Sequence, residues 1–340
     1  MSPSLAAALF RATVPVIRRA AAAATLTAVA LTAAMQQVAA FDLQGHRGAR
    51  GLEPENTLAG FGKALEIGVT TLETDLAVTK DGVVVIAHDP DLNPALVRGP
   101  SGFWLTARGP AIRSLTLAEL KAYDVGRVNP STSYGKQWPL QIPSDGERVP
   151  TLAEFLAFAD ARDPKVRFNL EVKITPTSGE SVVDPETFVD LALAGIRKAG
   201  VIGRTTLQSF DWRPLVISRR AAPELETACL TAQFPNFDTV KPDATGRSPW
   251  QAGLVPSEHG HSLPRLVKAA GCAIWSANAA SLSAELVREA HALDLRVLAW
   301  TINDKAEMGR MIDLAVDGLI TDYPDRARQV LAERGIAIAR

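Results

Sequence analysis

Eight short extended runs separated by helical stretches leave few folds open to this chain of 340 residues. They begin at Phe41 and Thr71 and recur at Arg167 to Ile174, Thr205 to Phe210, Glu226 to Leu230, Ala273 to Ala277, Arg296 to Ile302 and Gly318 to Thr321. Helical stretches such as Pro185 to Ala199 and Ser283 to Leu293 lie between them. Strands joined through helices run parallel, and eight of them argue a closed (β/α)8 TIM barrel of the α/β class over an open sheet. In such a barrel chemistry belongs where strands end, at the C-terminal face.

A further run, Val83 to His88, cannot be parallel. Only Thr79-Lys80-Asp81-Gly82 separates it from Thr71 to Val78, and Asp-Gly is a hairpin signal, so it returns antiparallel and brings His88 back towards Asp75. From Pro90 to Pro150 the periodicity fails and Pro, Gly, Ser and Asn punctuate the text, as in a rim segment inserted over a functional face. Capping boxes at Thr116 to Glu119 and Thr151 to Glu154 mark helix starts, the second resuming the barrel. Thr231 to Leu263 reads as another rim loop.

The stretch His46 to Asp89 concentrates the reactive side chains. Glu73 and Asp75 are two apart in the strand Thr71 to Val78 and so point to one face, where buried neighbouring carboxylates repel unless a cation or a shared proton compensates. Glu171 and Lys173 close the third strand at the same period, Gln208 the fourth and Trp300 the seventh, and Asp322 follows the eighth. Glu73, Asp75 and Glu171, with no cysteine nearby, suit an oxygen-preferring ion, Ca²⁺ or Mg²⁺. The alternative is a structural ion pair of one of them with Lys173 or Arg47. His46 and His88, flanking the carboxylates, are candidates for proton transfer. Arg47 has the fork for a phosphate, and Gly48 is read as room for backbone to approach a ligand. Asn56 is the expected N-cap and Gly68 the stop of the helix that follows Pro54. Trp300 either walls the pocket or belongs to the core.

HRG, PENT, ETD, TKDG and HD, in this order within about forty residues, resemble the signature of the glycerophosphodiester phosphodiesterase family. The resemblance implies hydrolysis of glycerophosphodiesters to an alcohol and sn-glycerol 3-phosphate on a barrel with one divalent cation. It casts His46 and His88 as the acid/base pair, Arg47 as the phosphate contact, and Glu73, Asp75 and Glu171 as metal ligands. Lys173 would then share in balancing the phosphodiester's charge, and Trp300 in receiving the alcohol. Many members continue the HD motif with Arg-Thr-Thr, whereas here Pro90-Asp91-Leu92-Asn93-Pro94 follows, which leaves the head group open. Two other readings stand beside it: phospholipase D-like action on lysophospholipids or sphingolipids, and a non-catalytic periplasmic binding protein.

The first forty residues differ from the rest. Arg11, Arg18 and Arg19 precede an apolar run from Ala20 to Ala34, Val38-Ala39-Ala40 follows, and no acidic residue appears before Asp42. This matches a cleavable secretory signal over 1–40, and the run falls short of the ~18 apolar residues of a membrane anchor. A single barrel domain over 41–340, exported to the periplasm or the exterior and without stable membrane insertion, is expected. Losing three arginines makes the formal charge of −1 more negative, so nucleic acid is not an expected partner and a small molecule is. Cys229 and Cys272 are the only cysteines. One lies late in its strand and the other just before its own, which places them towards opposite ends of a parallel sheet and beyond bridging distance.

Overall fold

The barrel closes at the four-residue strand β1 (Asp42–Gly45), which pairs in parallel with the equally short β11 (Gly318–Thr321) along its whole length and with the start of β2 (Thr71–Val78) at Gln44 and Gly45. The computed structural model describes residues 41–338, and the secretory signal read over 1–40 lies outside the described residues. After β1 come α1 (Leu58–Ile67), β2 and the return strand β3 (Val84–Ile86), and the rim segment then carries α2 (Leu117–Leu120). The alternation resumes with α3 (Leu152–Arg162), β4 (Arg167–Val172), α4 (Pro185–Lys198), β5 (Thr205–Ser209), α5 (Arg213–Ala221) and β6 (Glu226–Thr231). A small hairpin, β7 (Gln233–Phe234) and β8 (Phe237–Asp238), precedes α6 (Leu263–Ala270), β9 (Ile274–Asn278), α7 (Ala284–Ala292), β10 (Arg296–Trp300), α8 (Lys305–Asp313), β11 and α9 (Pro324–Glu333).

The parallel order β1-β11-β10-β9-β6-β5-β4-β2, joined back through β1 and β2, gives the closed eight-stranded barrel expected, with β3 antiparallel on the upper half of β2. Strand β2 outruns β1, so its upper edge is free to accept β3, which pairs Leu76 with Ile86. Helices pack outside through apolar stripes. In α4, Asp184 caps the start, Pro185 occupies the first turn, and Phe188, Val189, Ala192, Leu193 and Ile196 are buried at helical spacing. The core is this layer between sheet and helices. Apart from that layer lie a small apolar cluster, Ala228, Ile274 and Leu298, and buried polar groups such as Gln44, Asn169 and Gln208. Both capping boxes form, at Thr116 and Thr151. Among the described residues no helix is long and apolar enough to cross a membrane.

Cys229 and Cys272 are bonded, with Cα atoms 5.9 Å apart, which corrects the expectation that they lie beyond reach. Strand register was the wrong measure of their separation. Cys272 comes directly after the α6 C-cap Gly271, before the chain enters β9, and joins the same outer core cluster as the Cys229 side chain on β6. The bridge closes a sequence separation of 43 residues. In the chain-entropy model, replacing both cysteines by serine should therefore lower unfolding stability by about 4 kcal/mol. Urea unfolding of oxidised wild type against the double variant measures this.

Candidate active site

Alternation along β2 turns Glu73 and Asp75 into the barrel mouth, and the β2–β4 register sets Glu171 beside Asp75. One ligand atom from each of these buried carboxylates lies within 4.8 Å of the others. Burial, then Asp75 and Glu171, push the Glu73 carboxyl well above its ordinary range. Burial also raises Glu171, with Asp75 adding to it against the pull of Lys173. Burial works against Asp75 too, but Arg47, His88 and Lys173 hold it well below the usual range.

The residues fit a cation. Arg50 pairs with Asp322 at 2.7 Å, whereas Arg47 is shared between Glu55 at 2.6 Å and Asp75 at 3.3 Å and Lys173 meets Glu171 at 2.8 Å, so the four acids Glu55, Glu73, Asp75 and Glu171 face two cations. That leaves two negative charges over, the charge a divalent ion supplies. Asp75 Oδ1 is buried and has no hydrogen-bond partner, although Lys173 Nζ lies 3.7 Å away. Such an orphaned oxygen in an all-oxygen donor set fits a hard metal. The ion pair weighed as an alternative is also present, since Lys173 Nζ meets Glu171 Oε1 at 2.8 Å, but one lysine does not neutralise three acids.

Both histidines line the cavity and are held at Nδ1 by a carboxylate. His46 directly follows β1; its Nδ1 lies 2.7 Å from Asp322 Oδ1 and its Nε2 3.9 Å from Glu73 Oε2. His88 is carried back by β3, where Ala87 N–H donates to the Asp75 carbonyl at 3.0 Å, and its Nδ1 lies 2.7 Å from Asp89 Oδ1. A carboxylate at Nδ1 selects the tautomer with the proton there, leaving Nε2 bare towards the cavity. Burial and the Arg50 charge pull His46 down to about 4 against the opposing pull of Asp322. His88 is lowered by burial, then by Arg47 and Lys173. Burial alone would raise the Asp322 carboxyl, yet His46 and Arg50 hold it well below the usual range.

The family model of the glycerophosphoryl diester phosphodiesterase family matches residues 46–326. The chain belongs to this family. A glycerophosphodiester phosphodiesterase of Caldanaerobacter subterraneus is 27% identical over 290 residues, covering 85% of this chain and 97% of that protein. A solved structure from Silicibacter pomeroyi, described as a candidate glycerophosphoryl diester phosphodiesterase, is 36% identical with a TM-score of 0.78, covering 88% of this chain and 96% of that one. An Oleispira antarctica phosphodiesterase, solved with the product sn-glycerol-3-phosphate, shares the fold at 22% identity and a TM-score of 0.63, over 86% of this chain and 97% of that one.

The family member's carboxylates and imidazoles open into a cavity of about 450 Å³. Every site residue read from the sequence except buried Asp75 lines it, Trp300 included. Its floor is polar; one wall is aromatic, with Phe210 packed edge-on between Trp300 and Phe237 at 5.4 and 5.1 Å, and Trp250 behind Phe237. Phe234 and Phe237, on the β7–β8 hairpin, continue this wall to the exposed surface.

Two local readings change. Asn56 is not the cap of α1; Thr57 is, and Asn56, at a left-handed φ of 56°, spans the site instead, donating to Asp75 Oδ2 at 3.0 Å and accepting from Thr74 Oγ1 at 2.8 Å. Gly48 makes room not for a ligand but for α1: at φ 89° its Cβ would fall 2.6 Å from the carbonyl carbon of Gly60.

Several contributors were missed. Arg50 forks onto Asp322 at 2.7 and 3.0 Å beneath the Trp138 ring, and Tyr134 donates its hydroxyl to Glu55. Tyr134 and Trp138 come from the rim segment, which thereby pins Glu55, the partner of Arg47, and Arg50 itself. Asp322 was visible as an acid after the last strand, and Gln208 as a strand end. The rim segment offers no periodic signal by which to find Tyr134.

Proposed function

We propose that this chain hydrolyses glycerophosphodiesters to an alcohol and sn-glycerol 3-phosphate with the help of one divalent cation, Ca²⁺ or Mg²⁺. The observation that carries the reading is the pair of carboxylate-oriented imidazoles turned towards a buried acidic triad with surplus negative charge. Arg47 and Lys173 line the cavity floor, where their charge balances a phosphodiester and the further negative charge that develops at phosphorus during attack. One imidazole, neutral, takes a proton from the attacking oxygen at its bare Nε2, and the other, entering the cycle as the imidazolium, gives its Nε2 proton to the departing alcohol. The bound ion would act as a Lewis acid on a phosphoryl oxygen. The aromatic wall faces the alcohol, and Phe234 and Phe237 at the surface favour a second reading, in which that alcohol carries an acyl chain as in lysophospholipids.

Initial rates on glycerophosphocholine and on a long-chain lysophospholipid, before and after exhaustive chelation, test both. The expected result is loss of at least about 10²-fold on chelation, regained with added Ca²⁺ or Mg²⁺. An unchanged rate after verified removal of the ion excludes its role, and a higher kcat/KM on the long-chain substrate selects the second reading.

The same proposal places residues 41–340 as one catalytic domain behind a cleaved signal, in the periplasm or outside the cell. The basic, apolar and small-residue order of the first forty residues supports it, as does the Cys229–Cys272 bridge, since disulfides persist in oxidising compartments. N-terminal sequencing of the protein recovered from cell fractions checks both the cut and the compartment.

A further inference from the structure

Below the acidic triad the barrel interior is crossed by a chain of amide hydrogen bonds that runs between two carboxylates. At the lower end Asp42 Oδ1 accepts from Thr70 Oγ1 at 2.6 Å, Thr71 Oγ1 at 2.7 Å and Arg167 at 2.8 Å, and its Oδ2 accepts from Gln44 Nε2 at 2.8 Å. At the upper end Gln208 Nε2 donates to Glu73 Oε1 at 2.9 Å. Each glutamine thus spends its NH₂ on a carboxylate and turns its carbonyl inward, and both carbonyls meet the same residue. Asn169 Nδ2 donates to Gln44 Oε1 at 2.8 Å and to Gln208 Oε1 at 3.0 Å.

A chain that ends in an acceptor on both sides needs one member that donates in both directions, and the two hydrogens of an amide nitrogen meet that need. The consequence is visible at the same residue: Asn169 Oδ1 is buried and has no hydrogen-bond partner. Turning the amide over would set that oxygen against the two glutamine carbonyls, acceptor against acceptor, and break both donated bonds. The orphaned acceptor therefore marks an orientation imposed by the carboxylates at the ends.

We propose that Asn169 is a positioning residue for the cation site: by donating twice it fixes Gln208 with an N–H, not a carbonyl, towards Glu73. Glu73 is then held at both oxygens, Oε1 by Gln208 and Oε2 by the Arg47 backbone N–H at 3.0 Å, so its carboxylate faces the triad in one orientation. This inference rests on the reading of Glu73 as a metal ligand.

The test uses full-length enzyme stripped of ions, with thermal unfolding to confirm that each variant is folded. Calorimetric titration with Ca²⁺ and with Mg²⁺ gives Kd. Asn169→Asp draws both glutamine NH₂ groups to itself and leaves the Gln208 carbonyl facing Glu73, so ion binding is expected to weaken by about 10- to 100-fold. In a Gln208→Met background the same substitution is expected to change Kd by less than about threefold, because the residue it acts through is gone. Should Asn169→Asp not fold, Asn169→Leu carries the test, with a loss of about tenfold expected in the wild-type background. Side-chain amide exchange followed by NMR gives a readout free of the ion: the Gln208 amide is expected to lose protection in Asn169→Leu. Unchanged Kd in folded Asn169 variants, or losses that simply add in the double variant, overturn the proposal. A wild-type enzyme that binds neither ion overturns the metal reading and this proposal together, and differs plainly from the case in which wild type and variants bind equally well.

Discussion

His46→Ala is expected to lower kcat on glycerophosphocholine by about 10³-fold while KM and ion affinity change little, since positioned acid or base groups contribute roughly 10² to 10⁴. The imidazole is fixed through Nδ1 by Asp322, and its free Nε2 faces Glu73 and the cavity. His88→Ala should fall by a similar factor, because Asp89 holds that ring in the same manner, itself kept at about 2 against the effect of burial by the His88 contact. A diester with an acidic leaving group, such as a p-nitrophenyl ester, separates the two roles. The variant lacking the proton donor should recover most of its rate on that substrate, and the variant lacking the base should not. Near-wild-type kcat in both variants on both substrates would remove the histidines from the chemistry.

Asp75→Asn is expected to lower kcat/KM by about 10³-fold, corresponding to ~4 kcal/mol of transition-state stabilisation, by weakening the cation site. Asp75 lies 3.3 Å from Arg47 Nε and 3.7 Å from Lys173 Nζ, and it accepts from Asn56 at 3.0 Å. An amide in its place removes one of the two surplus negative charges and sets an NH₂ among cations. Arg47 with Glu55 and Lys173 with Glu171 stay paired, and the surplus charge falls from two to one, so folding should survive. Excess Ca²⁺ or Mg²⁺ should restore part of the rate in Asp75→Asn and none in His46→Ala. Rates measured alongside direct titration of the ion decide it: full activity in a variant shown to be ion-free would refute the assignment of Asp75.

Much of this centre could be read before any fold was known, because its parts lie on strands. Period two along β2 sets Glu73 beside Asp75, an Asp-Gly turn returns His88, and a carboxylate at the end of the next barrel strand, Glu171, meets them through sheet register. What escaped the reading depends on closure or on irregular backbone. The Asp322 contact to His46 spans 276 residues and exists only because the last strand pairs with the first. Tyr134 reaches Glu55 from a segment without periodicity. Asn56 looked like a cap because asparagine often is one; its left-handed backbone frees the side chain for Asp75. The cysteine pair was misjudged because register measures distance within a sheet, whereas Cys272 joins from the helix layer.

The union of β1 with β11 ties His46 to a residue synthesised 276 positions after it. A ribosome-bound chain could present the acids of β2 and β4 and still lack the group that orients its histidine. Hydrolytic competence would thus arrive in one step, when the final stave docks, and a truncated product would be silent instead of weakly active.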